Sequence, residues 1–100
     1  MMDKLEIINR ISQLRVRANL SARALSQRIG LNDGYISRME SKKDFLPSME
    51  VLLSIIEACN SSVEEFFYRD MQEYKNDIAI IDALSKTDKD KKSAILTLLQ

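Results

Sequence analysis

The sequence has no histidine, no tryptophan and one cysteine, Cys59. Zinc needs several Cys or His ligands and a disulfide needs two thiols, so the chain can build neither a zinc site nor an internal crosslink. Cys59 falls on an apolar helical face and reads as a small buried side chain, which suits a reducing compartment. With no histidine, no glycine-rich phosphate loop and no Ser or Cys beside a candidate base, nothing in the chain meets the needs of acid–base or nucleophilic catalysis. Neither an enzyme nor a cofactor is expected. Long apolar runs are also missing: none approaches the roughly 18 residues of a membrane span. The first residues, MMDKLEIINR, hold no apolar signal core, so a soluble cytoplasmic protein is expected. Net charge is zero, with 15 basic and 15 acidic residues, so bulk attraction cannot by itself argue for nucleic acid.

Glycine occurs twice and proline once, and no run of β-branched residues alternates with polar ones. What remains is apolar spacing near 3.6 across 100 residues that are 45% hydrophobic, which predicts one all-helical domain with one core. Charge is unevenly placed. Residues 1–48 carry nine basic and five acidic side chains, whereas 49–100 carry six and ten.

Asp3 is placed to cap a first helix reaching about residue 18, with Ile7, Ile11, Leu14 and Ala18 on one face; Asn19 suits the left-handed turn that stops it. Ser21 caps a second, short helix whose inward residues are Leu25 and Ile29. Gly30 then takes positive φ without a Cβ clash, and Leu31 plugs the corner. Asn32 is expected to cap a third helix, 33–41, with Ile36 and Met39 facing inward. Two short helices crossing through three residues follow helix-turn-helix grammar. Beyond the polar stretch 41–45 and Pro47, Ser48 caps a fourth helix carrying Met49, Leu52, Leu53, Ile56 and Cys59, and Asn60 supplies its stop. Ser62 and Glu65 have capping-box spacing before Phe66 and Phe67, so a fifth helix is expected to close the core with two rings.

Residues 11–68 resemble the phage-repressor-like helix-turn-helix family, the Cro/C1 or XRE type. Ile11, Leu14, Arg15, Leu20, Ser21, Leu25, Gly30, Ile36, Ser37, Arg38, Glu40, Pro47, Ser48, Leu52 and the ending SVEEFF carry the likeness jointly. The resemblance implies a five-helix, lambda-repressor-like DNA-binding domain over 1–69, whose third helix enters the major groove, with double-stranded DNA as partner. Base contacts would fall on Asn32, Asp33, Gly34, Tyr35, Ser37 and Arg38. Arg38 is the foremost, because its fork matches guanine O6 and N7. Phosphate contacts would fall on Arg15, Ser21, Arg23, Ser41, Lys42 and Lys43, and Arg15 would pair with Glu40 to hold the third helix against the first.

Three positions depart from the family pattern. Asp33 is an acid beside phosphates, Gly34 brings no side chain to a base, and Ala22 stands where glutamine is common. Asp33 can instead favour the dipole of the third helix.

Residues 70–100 form a helical extension, with Met71, Tyr74, Ile78 and Ile81 on one stripe and Ile95, Leu98 and Leu99 on another; Thr87 or Asp88 caps its last helix. These stripes either pack back on the domain or bury themselves against another chain. A homodimer through 70–100 is the expected arrangement. The expected function is a sequence-specific transcriptional regulator, a repressor in its simplest form. The alternative is a protein-interaction module such as an antitoxin or adaptor, with a protein partner on the same extension.

Overall fold

The helices start where short polar side chains can take up free amides, and a computed structural model describes them over residues 2–100. The first, α1 (Lys4–Arg17), opens with the Asp3 carboxylate accepting the Glu6 N–H at 2.9 Å. Ser21 does the same for α2 (Ala22–Arg28), accepting from the Ala24 N–H at 3.0 Å. Helix α3 (Tyr35–Lys42) has no side-chain cap of its own. Ser48 caps α4 (Met49–Ala58) and Ser62 caps the single turn α5 (Val63–Phe66).

Three of these helices end in one geometry. Asn19, Gly30 and Asn60 have φ of 58, 76 and 58°. In each case the next amide reaches back five residues along the chain: Leu20 N–H to Arg15 O, Leu31 to Ser26, Ser61 to Ile56. The left-handed residue satisfies two helix-end carbonyls and reverses the chain, a role open to glycine and tolerated by asparagine. A fourth left-handed residue, Lys43 at φ 56°, ends α3.

The chain divides after Phe67 into two compact units. In the first, α2 packs chiefly on α3, and α1 and α4 back them. Ile8, Ile11, Leu14, Leu25, Ile36, Met39, Ile55 and Phe66 are fully shielded from water. At about 1.5–3 kcal/mol for each such side chain, this cluster supplies most of the drive to fold. Cys59 lies in the same core at 2% exposure. Burial pushes its thiol pKa up, against the pull of Arg17, Arg15 and Arg28.

The structure corrects several expectations about packing. Ile7 and Ala18 are only half-buried while Ile8 is fully buried, because α1 faces both α3 and α4 and its inward face is wider than one stripe. On α4, Met49 and Leu53 are exposed and Ile55 is buried. Only one of the two phenylalanines closes the core. Phe67 is 43% exposed, since adjacent residues on a one-turn helix cannot face the same way, and its ring sits edge-on to Phe66 at 5.0 Å. Helix α3 starts two residues later than expected: Asn32 does not cap it but uses its side-chain oxygen to accept the Gly34 N–H at 3.0 Å.

The second unit holds a 3-10 turn (Met71–Glu73), α6 (Tyr74–Ser85) and α7 (Lys89–Leu99). Tyr68 donates to Asp77 and stacks edge-on with Tyr74. Of the two caps considered for the last helix, Asp88 is used, accepting the Lys91 N–H at 2.9 Å. Ile78, Ile81, Leu98 and Leu99 are all exposed, Leu98 to 84%.

Candidate nucleic-acid interface

Helix α3 buries Ile36 and Met39 and so turns Ser37, Arg38, Ser41 and Lys42 to the opposite side, where all four are exposed. Tyr35 flanks that face. Its half-buried ring meets Phe45 edge-on at 5.7 Å, and burial raises the pKa of its phenol. Ser41 donates to the Arg38 carbonyl at 3.4 Å. Arg38, Lys42 and Lys43 form no ion pair among the described residues. Lys43 ends the helix and sends the chain onward through its left-handed backbone.

Two attachments fix α3 in place. At its start, the Ile36 amide has no acceptor within its own helix. It donates instead to the buried Ser26 hydroxyl of α2 at 3.1 Å, and Ser26 in turn donates to Ala22 O at 2.8 Å. At its other end, Glu40 receives both Arg15 Nε at 2.8 Å and Arg15 Nη2 at 2.9 Å, while Arg15 Nη1 donates to Leu20 O at 2.9 Å. The hydrogen bonds to Glu40 raise the Arg15 pKa further, against the effect of burial. Each partner's side chain is 18% exposed, so the pair is shielded enough to orient α3 firmly. With all three of its guanidinium nitrogens engaged, Arg15 presents only a residual edge to solvent.

The start of α2 presents Ser21 and Arg23 on the surface. Arg23 Nε lies 3.2 Å from Asp33 Oδ2, and the Gln27 amide donates to Asp33 Oδ1 at 3.2 Å. Asp33 therefore ties the turn before α3 back to α2, and its charge is partly offset by Arg23. Both are largely exposed, so this pair contributes little to stability. Asn32 bends the same turn through its bond to Gly34. The residues expected to meet bases thus gather in two places. Asn32, Asp33 and Gly34 form the turn, while Tyr35, Ser37 and Arg38 occupy the first helical turns of α3.

Several residues that hold this scaffold escaped the sequence reading. Ser26 is one, although it shares the inward stripe of Ala22, Leu25 and Ile29, where a hydroxyl stands out. Arg17 is held in a two-pronged pair with Glu65, at 3.0 and 2.7 Å. Glu65 is only 3% exposed and also accepts from Ser61. Arg10, 7% exposed, donates to Phe66 O at 2.6 Å where α5 ends. For the Arg17–Glu65 pair and the Arg10 bond to Phe66 O the sequence carries no signal, since those partners lie 48 and 56 residues away.

A short helix locked across a second one, with an exposed and partly cationic outer face, defines a helix-turn-helix protein. Residues 11–66 match the family described as Helix-turn-helix (HTH_3), the XRE and Cro/C1 type, and the chain belongs to that family of DNA-binding regulators. No curated protein and no solved structure matches the chain. No helix among the described residues is long and apolar enough to cross a membrane.

Proposed function

We propose that this protein is a sequence-specific transcriptional regulator, in its simplest form a repressor, that inserts α3 into the major groove of double-stranded DNA. One observation carries the reading: the face of α3 opposite Ile36 and Met39 is exposed and holds Arg38 and Lys42 without carboxylate partners. An α-helix fits the major groove, where each base pair shows its own pattern of donors and acceptors. Arg38 reads guanine, with Asn32, Asp33, Gly34, Tyr35 and Ser37 close to base edges. Ser21, Arg23, Ser41, Lys42 and Lys43 meet phosphates, and Arg15 supports them from behind while paired to Glu40. About four to six phosphate contacts per protomer give a steep loss of affinity with salt.

Residues 70–100 act as the dimerisation segment in this proposal, joining two half-sites on a two-fold related operator. The exposed Ile81, Leu96, Leu98 and Leu99 support that role, and they equally suit a protein partner of an antitoxin-like or adaptor module.

Selection of bound duplexes from a random pool tests the reading. It is expected to yield a short palindrome whose enrichment disappears in Arg38→Ala without loss of helicity. No enrichment at low or moderate salt would favour the interaction module. Truncation after Phe67 is expected to give a folded monomer with weaker operator binding, because the second half-site is no longer tethered. Identical sedimentation of truncated and full-length chains would remove residues 70–100 from the dimer.

A further inference from the structure

Gly34, the residue just before α3, has φ −92° and ψ 2°, the conformation of the third residue of a type I turn, which most residues can adopt. Its glycine is therefore not required by the turn. The space beside it is what is used: a Cβ at this position would lie 2.9 Å from Arg38 Nη1, 3.8 Å from Arg38 Cζ and 3.6 Å from Asn32 Oδ1. Arg38 is four residues on, and its N–H donates to Gly34 O at 2.9 Å. Helical side chains lean toward the amino-terminal end of their helix, and here that lean brings the guanidinium to the space that a Gly34 Cβ would take. Arg38 forms no ion pair or side-chain hydrogen bond among the described residues, so its donors remain available to a ligand. Asn32 Oδ1 is committed to the Gly34 N–H, which fixes the turn beneath the guanidinium.

We infer that Gly34 is a positioning residue for DNA reading: by lacking a Cβ it seats the Arg38 guanidinium against the first turn of α3 and thereby sets which base pair Arg38 reads. This rests on the base-reading role given to Arg38 above. A flexible arginine on an open helix face samples many directions, and seating it removes orientations that would otherwise be lost on binding. The amino-terminal end of a recognition helix is the end that meets base edges, so a guanidinium drawn toward Gly34 is drawn toward the bases. Adding a Cβ displaces only the far end of Arg38, which leaves the fold intact while the reading geometry changes.

The test uses the full chain and the palindrome found by random-pool selection. Arg38→Ala first identifies the base pair in each half-site whose preference depends on Arg38. Discrimination at that pair is then measured by fluorescence anisotropy in the unaltered protein, Gly34→Ala, Gly34→Ser and the double variant Gly34→Ala/Arg38→Ala. A bidentate arginine contact discriminates by roughly 5- to 150-fold, and each Gly34 variant is expected to lose most of that factor. Binding to duplex without the site should stay within about twofold, since non-specific affinity follows phosphate charge. Melting temperatures should stay within about 4 °C, as for surface changes. Serine is itself a favoured residue at a helix start, so the second variant guards against loss of folding. The double variant should discriminate no worse than Arg38→Ala alone. Full discrimination in both glycine variants, or losses that simply add in the double variant, would overturn the positioning role. If Arg38→Ala leaves every preference intact, the base-reading assignment fails instead, and the role of Gly34 goes with it.

Discussion

Removing one hydroxyl from α2 should loosen α3. In Ser26→Ala the Ile36 amide loses the one acceptor it has among the described residues, at a site where both residues are fully buried. Leaving a buried donor unsatisfied costs about 1–3 kcal/mol. Alanine returns part of that, about 0.5 kcal/mol, through better helix propensity. The bond from Ser26 to Ala22 O costs little to lose, because a serine bonding back to the preceding turn adds little to a helix. The net loss is about 1–2 kcal/mol, and for a domain of this size that lowers the melting temperature by about 4–16 °C. Thermal unfolding by circular dichroism measures the total, and hydrogen exchange locates it. The Ile36 amide should lose protection more than those of α1 and α4. An unchanged melting temperature with an equally protected Ile36 amide would show that the Ser26 bond does not hold α3 in place.

Other consequences follow from the charged groups. Glu40→Ala strips both acceptors from the Arg15 fork, and a double-mutant cycle on the two should give a coupling of about 1–3 kcal/mol; strictly additive losses would mean the pair does not hold α3. Asp33→Asn frees Arg23 and removes an acid beside the proposed duplex, so affinity for DNA should rise at low salt and the salt slope should steepen by about one contact; unchanged binding would place both residues off the DNA. The folded Cys59 thiol holds its proton more tightly than the unfolded one. Unfolding therefore releases a proton once pH passes the free thiol value of about 8.5, and stability should fall as pH rises from there through the higher folded value. Urea titrations at pH 7 and 9.5 check this, and an equal alkaline loss in Cys59→Ala would assign the slope to other groups.

Much of the architecture was local and therefore readable. Asp3, Ser21, Ser48 and Ser62 cap helices because a short oxygen-bearing side chain reaches an amide three residues on, wherever the rest of the chain lies. Asn19, Gly30 and Asn60 stop helices for an equally local reason, their tolerance of positive φ. Register along α3 put Ser37, Arg38, Ser41 and Lys42 opposite Ile36 and Met39. Local rules misjudged the start of that helix. Asn32 had two amides within reach, and the turn made with Gly34 prevailed over the cap.

Periods and caps act over four residues or fewer, so residue order was enough to make this chain helical, to set where most of its helices begin and end, and to make one side of α3 polar. Tertiary structure alone decided which distant groups meet: Ser26 with the Ile36 amide, Arg17 with Glu65, Arg10 with the end of α5, and Phe66 rather than Phe67 in the core. Those choices depend on how helices cross. A buried polar atom must take whatever partner the packed neighbour offers, and no spacing along the chain encodes that neighbour.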